Sequence, residues 1–129
     1  MREMVNYLKN LGLTEYQSRV MIVLFCKRET TAKEICKYGG IRQTKIYQVL
    51  KSLEDKGFVT YNYAKPREYH GMTQKRAMNK LLDKQEKELE KLRHGKEVQV
   101  EYLKNLELTP VEPETRVHPM WDVDHYKNL

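Results

Sequence analysis

Residues 31–57 constrain this chain more than any other stretch, because they read as a short helix, a double glycine and a longer helix in direct succession. Thr31-Ala32-Lys33-Glu34 has the spacing of a capping box, in which the Thr hydroxyl and the Glu carboxylate each satisfy an exposed backbone N–H. Ala32, Ile35 and Cys36 make the inward side of the short helix, and Gly39-Gly40 ends it, two glycines supplying the positive φ of a sharp turn. Ile41 re-enters the core. The next helix, from about residue 42 to 56, collects Ile46, Val49, Leu50 and Leu53 on one face and Thr44, Gln48, Lys51 and Ser52 on the other. Arg42, Gln43 and Lys45 crowd its first turn. An outward face of Arg, Gln, Thr and Lys offers many hydrogen-bond donors and few carboxylates, which suits base edges and phosphates. An ordinary solvated helix has a polar face too. What separates the two readings is the order of short helix, tight turn and basic helix, which is that of a helix-turn-helix.

The flanking segments complete a domain around this unit. Met4, Val5, Leu8 and Leu11 have helical spacing over residues 4–11, and Gly12 stops the pattern. Thr14 is a good N-cap for a helix over 15–27 with acidic Glu15 in its first turn. That helix carries Tyr16 and an unbroken apolar run from Val20 to Cys26, so it belongs at the centre of the fold. After Gly57, residues 58–63 are β-branched and aromatic, residues 64–67 form a turn, and residues 68–72 return as a second strand. Lys65 and Arg67 flank Pro66 at the tip, as in a wing that reaches phosphates or a minor groove. The plainer alternative is an exposed loop with incidental charge.

Thr73 starts a long helix over 74–93 in which Met78, Leu82, Gln85, Leu89 and Leu92 recur at alternating four- and three-residue steps. So narrow a stripe cannot fill a globular core, and its natural partner is the same helix of a second chain. The competing reading packs the helix back along its own domain. His94-Gly95 interrupts the seam, and residues 97–108 are read as helix over strand. The rest, broken by Pro110, Pro113 and Pro119, reads as an irregular tail. His118, Trp121, Asp122, Asp124 and His125 crowd together there without the spacing of a metal site. The expected organisation is a DNA-binding domain over 1–72, a dimerisation segment over 73–108 and a tail over 109–129.

Charge and cysteine usage agree with this division. The net charge of +6 is concentrated in residues 1–72, which hold 13 Lys and Arg against seven Asp and Glu. Residues 73–108 hold nine against seven, and residues 109–129 two against four. A polyanion would therefore be gripped by the N-terminal part. No apolar run approaches the roughly 18 residues needed to cross a bilayer, and the first residues lack a signal peptide's apolar stretch, so a cytoplasmic location is expected. Cys26 and Cys36 are expected to be two buried free thiols, a disulfide being the alternative. Phosphate-binding glycine loops, metal-ligand spacings and nucleophile–base pairs are missing, so catalysis, a cofactor or a small-molecule ligand is not expected.

The chain resembles the TrmB family of archaeal transcriptional regulators over about residues 3–93. The resemblance rests on Leu11-Gly12-Leu13-Thr14-Glu15-Tyr16 with Arg19-Val20, and on Thr31-Ala32-Lys33-Glu34-Ile35 followed by Gly40-Ile41. It continues through Thr44-Lys45-Ile46-Tyr47, Leu50 to Gly57, and Lys65-Pro66-Arg67 with Tyr69. Arg42 stands where such proteins often carry Pro. The resemblance implies a mainly α winged helix-turn-helix with a small β-hairpin wing, DNA binding through the third helix, and homodimerisation through the helix after the wing. Larger members append a sugar-binding domain, and this chain is expected to be a short form without one. The candidate contacts to double-stranded DNA are Thr31, Lys33, Arg42, Gln43, Thr44, Lys45, Tyr47, Gln48, Lys51, Lys65 and Arg67. Two other functions fit the same residues: a winged-helix module that docks on proteins of the transcription machinery, and a thiol redox-responsive regulator.

Overall fold

Glycines set the path of the chain by closing helices and returning it to the core. In a computed structural model that describes residues 1–113, the order is α1 (Arg2–Asn10), α2 (Glu15–Cys26), β1 (Glu29–Thr31), α3 (Ala32–Gly39), α4 (Gln43–Asp55), β2 (Val59–Tyr61), β3 (Glu68–Gly71) and α5 (Gln74–Lys104). Gly40 at φ 67° ends α3, and the next N–H, of Ile41, donates back to the Cys36 carbonyl at 3.2 Å. Gly57 at φ 81° follows α4 in the same way, with Phe58 N–H donating to the Leu53 carbonyl at 2.9 Å. Each motif satisfies a helix-end carbonyl and buries the hydrophobic residue after the glycine, Ile41 or Phe58. Gly39 has a different task from the one expected. Only Gly40 of the pair has a positive φ, while Gly39 is the last residue of α3. A Cβ on Gly39 would lie 3.4 Å from both Val23 Cγ2 and Ile41 Cδ1, so its bareness lets α3 close on α2.

Residues 1–94 form one compact unit. Its centre is α2, whose Val20, Met21, Val23 and Leu24 are buried against Leu8 of α1, Ile35 of α3, and Ile46, Leu50 and Leu53 of α4. Truncating one of these fully buried residues, such as Leu50→Ala, would cost about 2–5 kcal/mol. The thiols depart from expectation. Cys26, the last residue of α2, is exposed where the helix leaves the core, and Cys36 is half-buried; both are free. Burial raises the thiol pKa of Cys36.

The sheet has three antiparallel strands in the order β1-β3-β2, one more than the expected hairpin. Tyr69 on the central strand pairs with Thr30 on one side and Tyr61 on the other. The capping chemistry also differs. The full reciprocal box lies at α2, between Thr14 and Gln17. At α3 the Thr31 hydroxyl accepts from Glu34 N–H, but the Glu34 carboxylate is bound by Lys27 Nζ at 3.2 Å and Thr30 Oγ1 at 3.3 Å. A nearby cation and hydroxyl thus outcompete the backbone for that carboxylate.

The long helix α5 runs without interruption to Lys104, through the expected break at His94-Gly95. One helical glycine costs only about 1 kcal/mol relative to alanine, which the surrounding Lys, Glu and Leu offset. The expected seam is corrected as well. Ala77 and Leu81 are buried in the winged domain's core, with Met78 packed partly against it. Gln85 Nε2 donates to the Asn10 carbonyl at 2.9 Å. Leu82, Leu89 and Leu92 remain exposed. The reading that packs the helix back along its own domain therefore holds for one edge, while another edge lies open. The second unit begins at Gly95; its described residues comprise the last turns of α5 and a segment without regular secondary structure to residue 113. Residues 97–104 are helical, as the reading of helix over strand expects, but the helix ends at Lys104 rather than at 108. The crowded His118, Trp121, Asp122, Asp124 and His125 lie outside the described residues.

Candidate nucleic-acid interface

Arg42 provides the N-cap of α4 with extended backbone angles and without a side-chain cap bond, so its guanidinium remains outside the helix. The N–H groups of Lys45 and Ile46 donate to the Arg42 carbonyl at 2.9 and 3.2 Å, closing the first turn. From there the amphipathic pattern works as the spacing dictates. Ile46, Leu50 and Leu53 are buried, whereas Arg42, Gln43, Thr44, Lys45, Tyr47, Gln48 and Lys51 are exposed, Tyr47 at 64%. No acidic residue interrupts this face before Glu54 and Asp55. Asp55 pairs with Lys51 at 3.2 Å, and that carboxylate holds the Lys51 pKa above its ordinary value.

Ser52 does not belong to the outward face. Its hydroxyl donates to the Val49 carbonyl at 2.7 Å and accepts from Gln17 Nε2 at 3.0 Å. Four residues past Gln48, a position that looks outward on a projection has turned far enough to meet α2.

The turn before α4 is held from behind. Arg19 Nη1 donates to the Gly40 carbonyl at 3.2 Å, and its Nε donates to Glu15 Oε2 at 3.0 Å. Arg2 and Lys9 also reach Glu15, at 3.0 and 3.3 Å. Hydrogen bonding from Arg2, with those from Lys9 and Arg19, lowers the Glu15 pKa to about 2.

In the wing, Asn62 stiffens the tip, its Oδ1 accepting from the N–H groups of Ala64 and Glu68 at 3.0 and 3.3 Å. Lys65 and Arg67 are exposed there. The Arg67 guanidinium lies 4.2 Å from the Tyr61 ring centroid and 5.5 Å from that of Tyr63, an aromatic bed that restrains it. A cleft of about 330 Å³ joins the three elements, lined by Thr31, Ala32, Lys33, Tyr47, Pro66, Arg67 and Tyr69. Thus Thr31, Lys33, Tyr47 and Arg67 adjoin one cleft, the remaining α4 residues extend along the helix, and Lys65 stands at the tip. Sequence patterning missed Gln17, Asn62 and the Arg19–Gly40 contact. The Thr14-x-x-Gln17 spacing is a capping signal and could have found the first.

A three-helix core, a basic helix after a tight turn and a β-wing beside it define a winged helix-turn-helix domain. Residues 8–73 match the family described as "Sugar-specific transcriptional regulator TrmB". The chain belongs to the TrmB family of transcriptional regulators. It is 32% identical over 91 residues to the HTH-type sugar sensing transcriptional regulator TrmBL1 of Pyrococcus furiosus, covering 70% of this chain and 27% of that protein. The uncharacterized protein YrhO of Bacillus subtilis is 35% identical over 66 residues, 51% of this chain and 24% of its own. This chain therefore spans about a quarter of the length of those two relatives. The solved structure of TrmBL2, an archaeal chromatin protein described as showing a novel mode of DNA binding, superposes with a TM-score of 0.68 at 26% identity, over 86% of this chain and 48% of that one.

Proposed function

We propose that this chain is a transcriptional regulator that binds double-stranded DNA as a homodimer, with α4 as the recognition helix. The observation that carries the reading is the exposed run Arg42, Gln43, Thr44, Lys45, Tyr47, Gln48 and Lys51, free of carboxylates and set on a buried apolar face. In a major groove, Gln43, Thr44 and Gln48 would read base edges, while Arg42, Lys45 and Lys51 would meet bases or flanking phosphates. Thr31 and Lys33 at the start of α3, with Lys65 and Arg67 on the wing, would fix the backbone register. Leu82, Leu89 and Leu92, exposed on α5, support self-association through that helix, which would set the spacing of two half-sites. The function requires no chemistry of its own. Titrating salt in an electrophoretic shift on random duplex DNA tests it: Arg42→Ala and Lys45→Ala should each weaken retention and reduce the salt slope by about 1. Retention that survives both changes with its salt slope intact rules this face out.

A further inference from the structure

Beneath the outward face of α4 lies a polar chain that packing alone does not call for. Gln17 is buried at 5% exposure, yet both ends of its amide are used. Its Oε1 accepts from the Thr14 N–H at 2.9 Å, within the capping box that starts α2. Its Nε2 donates to Ser52 Oγ at 3.0 Å, and Ser52 Oγ donates onward to the Val49 carbonyl at 2.7 Å. Among the described residues this is the only side-chain hydrogen bond between α2 and α4. Otherwise the two helices contribute apolar residues such as Val20, Met21, Leu50 and Leu53 to one buried core. Aliphatic surfaces repack readily and tolerate small rotations. A hydrogen bond is directional and weakens steeply off its axis.

We propose that Gln17 and Ser52 form a pin that fixes the rotation of α4 about its own axis, making Gln17 a positioning residue for base recognition. The inference rests on the DNA-binding reading above. Side-chain tips on a helix lie roughly 5–6 Å from the axis, so a rotation of about 20° displaces them by about 2 Å. Base-edge hydrogen bonds from Gln43, Thr44 and Gln48 do not survive that shift. Phosphate contacts from Lys33, Lys65 and Arg67 do, because they depend on charge and belong to other elements. The pin therefore governs discrimination between sequences, whereas general affinity rests on charge, including that of Arg42, Lys45 and Lys51, whose flexible side chains still reach phosphates after so small a shift.

The test uses the full chain. A duplex motif is first enriched from a random library by the unaltered protein, and binding to it is compared with a scrambled duplex. Gln17→Met and Ser52→Ala are each expected to lower the motif-to-scrambled affinity ratio about tenfold, the lower range of what one good base contact contributes. Binding to the scrambled duplex and its salt slope should stay unchanged. Ser52→Thr keeps a hydroxyl able to bond both partners and should restore the ratio. The double variant should be no worse than either single one. Thermal unfolding separates stability from positioning, and the Ser52→Ala and Ser52→Thr pair carries the test should Gln17→Met fail to fold. An unchanged ratio in folded Ser52→Ala, or equal weakening on both duplexes, overturns the pin. If the unaltered protein retains no duplex at all, the DNA-binding reading has failed, and that result arrives before any variant is made.

Discussion

Lys80 reaches from α5 to the end of α4, where its Nζ donates to the Lys56 carbonyl while lying 4.8 Å from the centroid of the Phe58 ring. The ammonium thus sits at the negative end of α4 and over an aromatic face at once. Lys80→Met should lower stability by about 1 kcal/mol, a drop of several degrees in Tm by thermal unfolding. An unchanged Tm would show that the contact adds nothing in solution.

The Glu15 carboxylate, surrounded by Arg2, Lys9 and Arg19, has its pKa lowered from an ordinary 4.5 to about 2. A depressed carboxylate stabilises the fold above its unfolded-state value and loses that contribution as pH falls through the folded one. Stability should therefore decline between about pH 4.5 and 2 in part through this group. Glu15→Gln should flatten that part of the profile, and the two proteins should converge below pH 2. Urea midpoints measured from pH 7 downward give the comparison, since parallel profiles would remove Glu15 from the acid transition.

Asp55 holds Lys51 at 3.2 Å and would compete for it with a polyanion brought to this face. Asp55→Asn removes a negative charge near the basic face and frees the ammonium. Affinity for random duplex DNA at low salt should rise about threefold, with a slightly steeper salt slope. Both side chains are largely exposed, so little change in stability is expected.

Leu81 and Leu82 are neighbours in sequence with opposite consequences. Leu81 is 4% exposed in the core and Leu82 is 42% exposed. Leu81→Ala should cost about 2–4 kcal/mol in chemical unfolding. Leu82→Glu combined with Leu89→Glu should leave the fold intact and convert a dimer to monomers in sedimentation velocity. A protein that still sediments as a dimer after both changes associates through another surface.

The helices and the basic face were legible because each depends on local pattern. Apolar residues recurring at helical spacing placed Ile46, Leu50 and Leu53 inward, and the Gly39-Gly40 pair marked the turn. What escaped depends on partners distant in sequence. β1 has three residues, too few to show alternation, and exists because β3 offers Tyr69 and its neighbours as a template. Ser52 lies at the border of two faces, and only Gln17, 35 positions away, turns it inward. The heptad on α5 was real as a pattern, but a repeat does not say which edge meets its own domain. Ala77 and Leu81 take that edge, leaving Leu82 and Leu89 open. The α3 capping box failed because Lys27, outside the four-residue window, captured Glu34.

Because β3 lies between β1 and β2, the wing shares its middle strand with the segment that leads directly into α3. Thr31 is both the last residue of β1 and the N-cap of α3, so no slack separates the two. Lys33 and the Lys65–Arg67 tip are thereby the two jaws of a caliper whose opening is set by strand pairing. A shift in the pairing of β1 with β3 would therefore change the separation of these cationic groups directly.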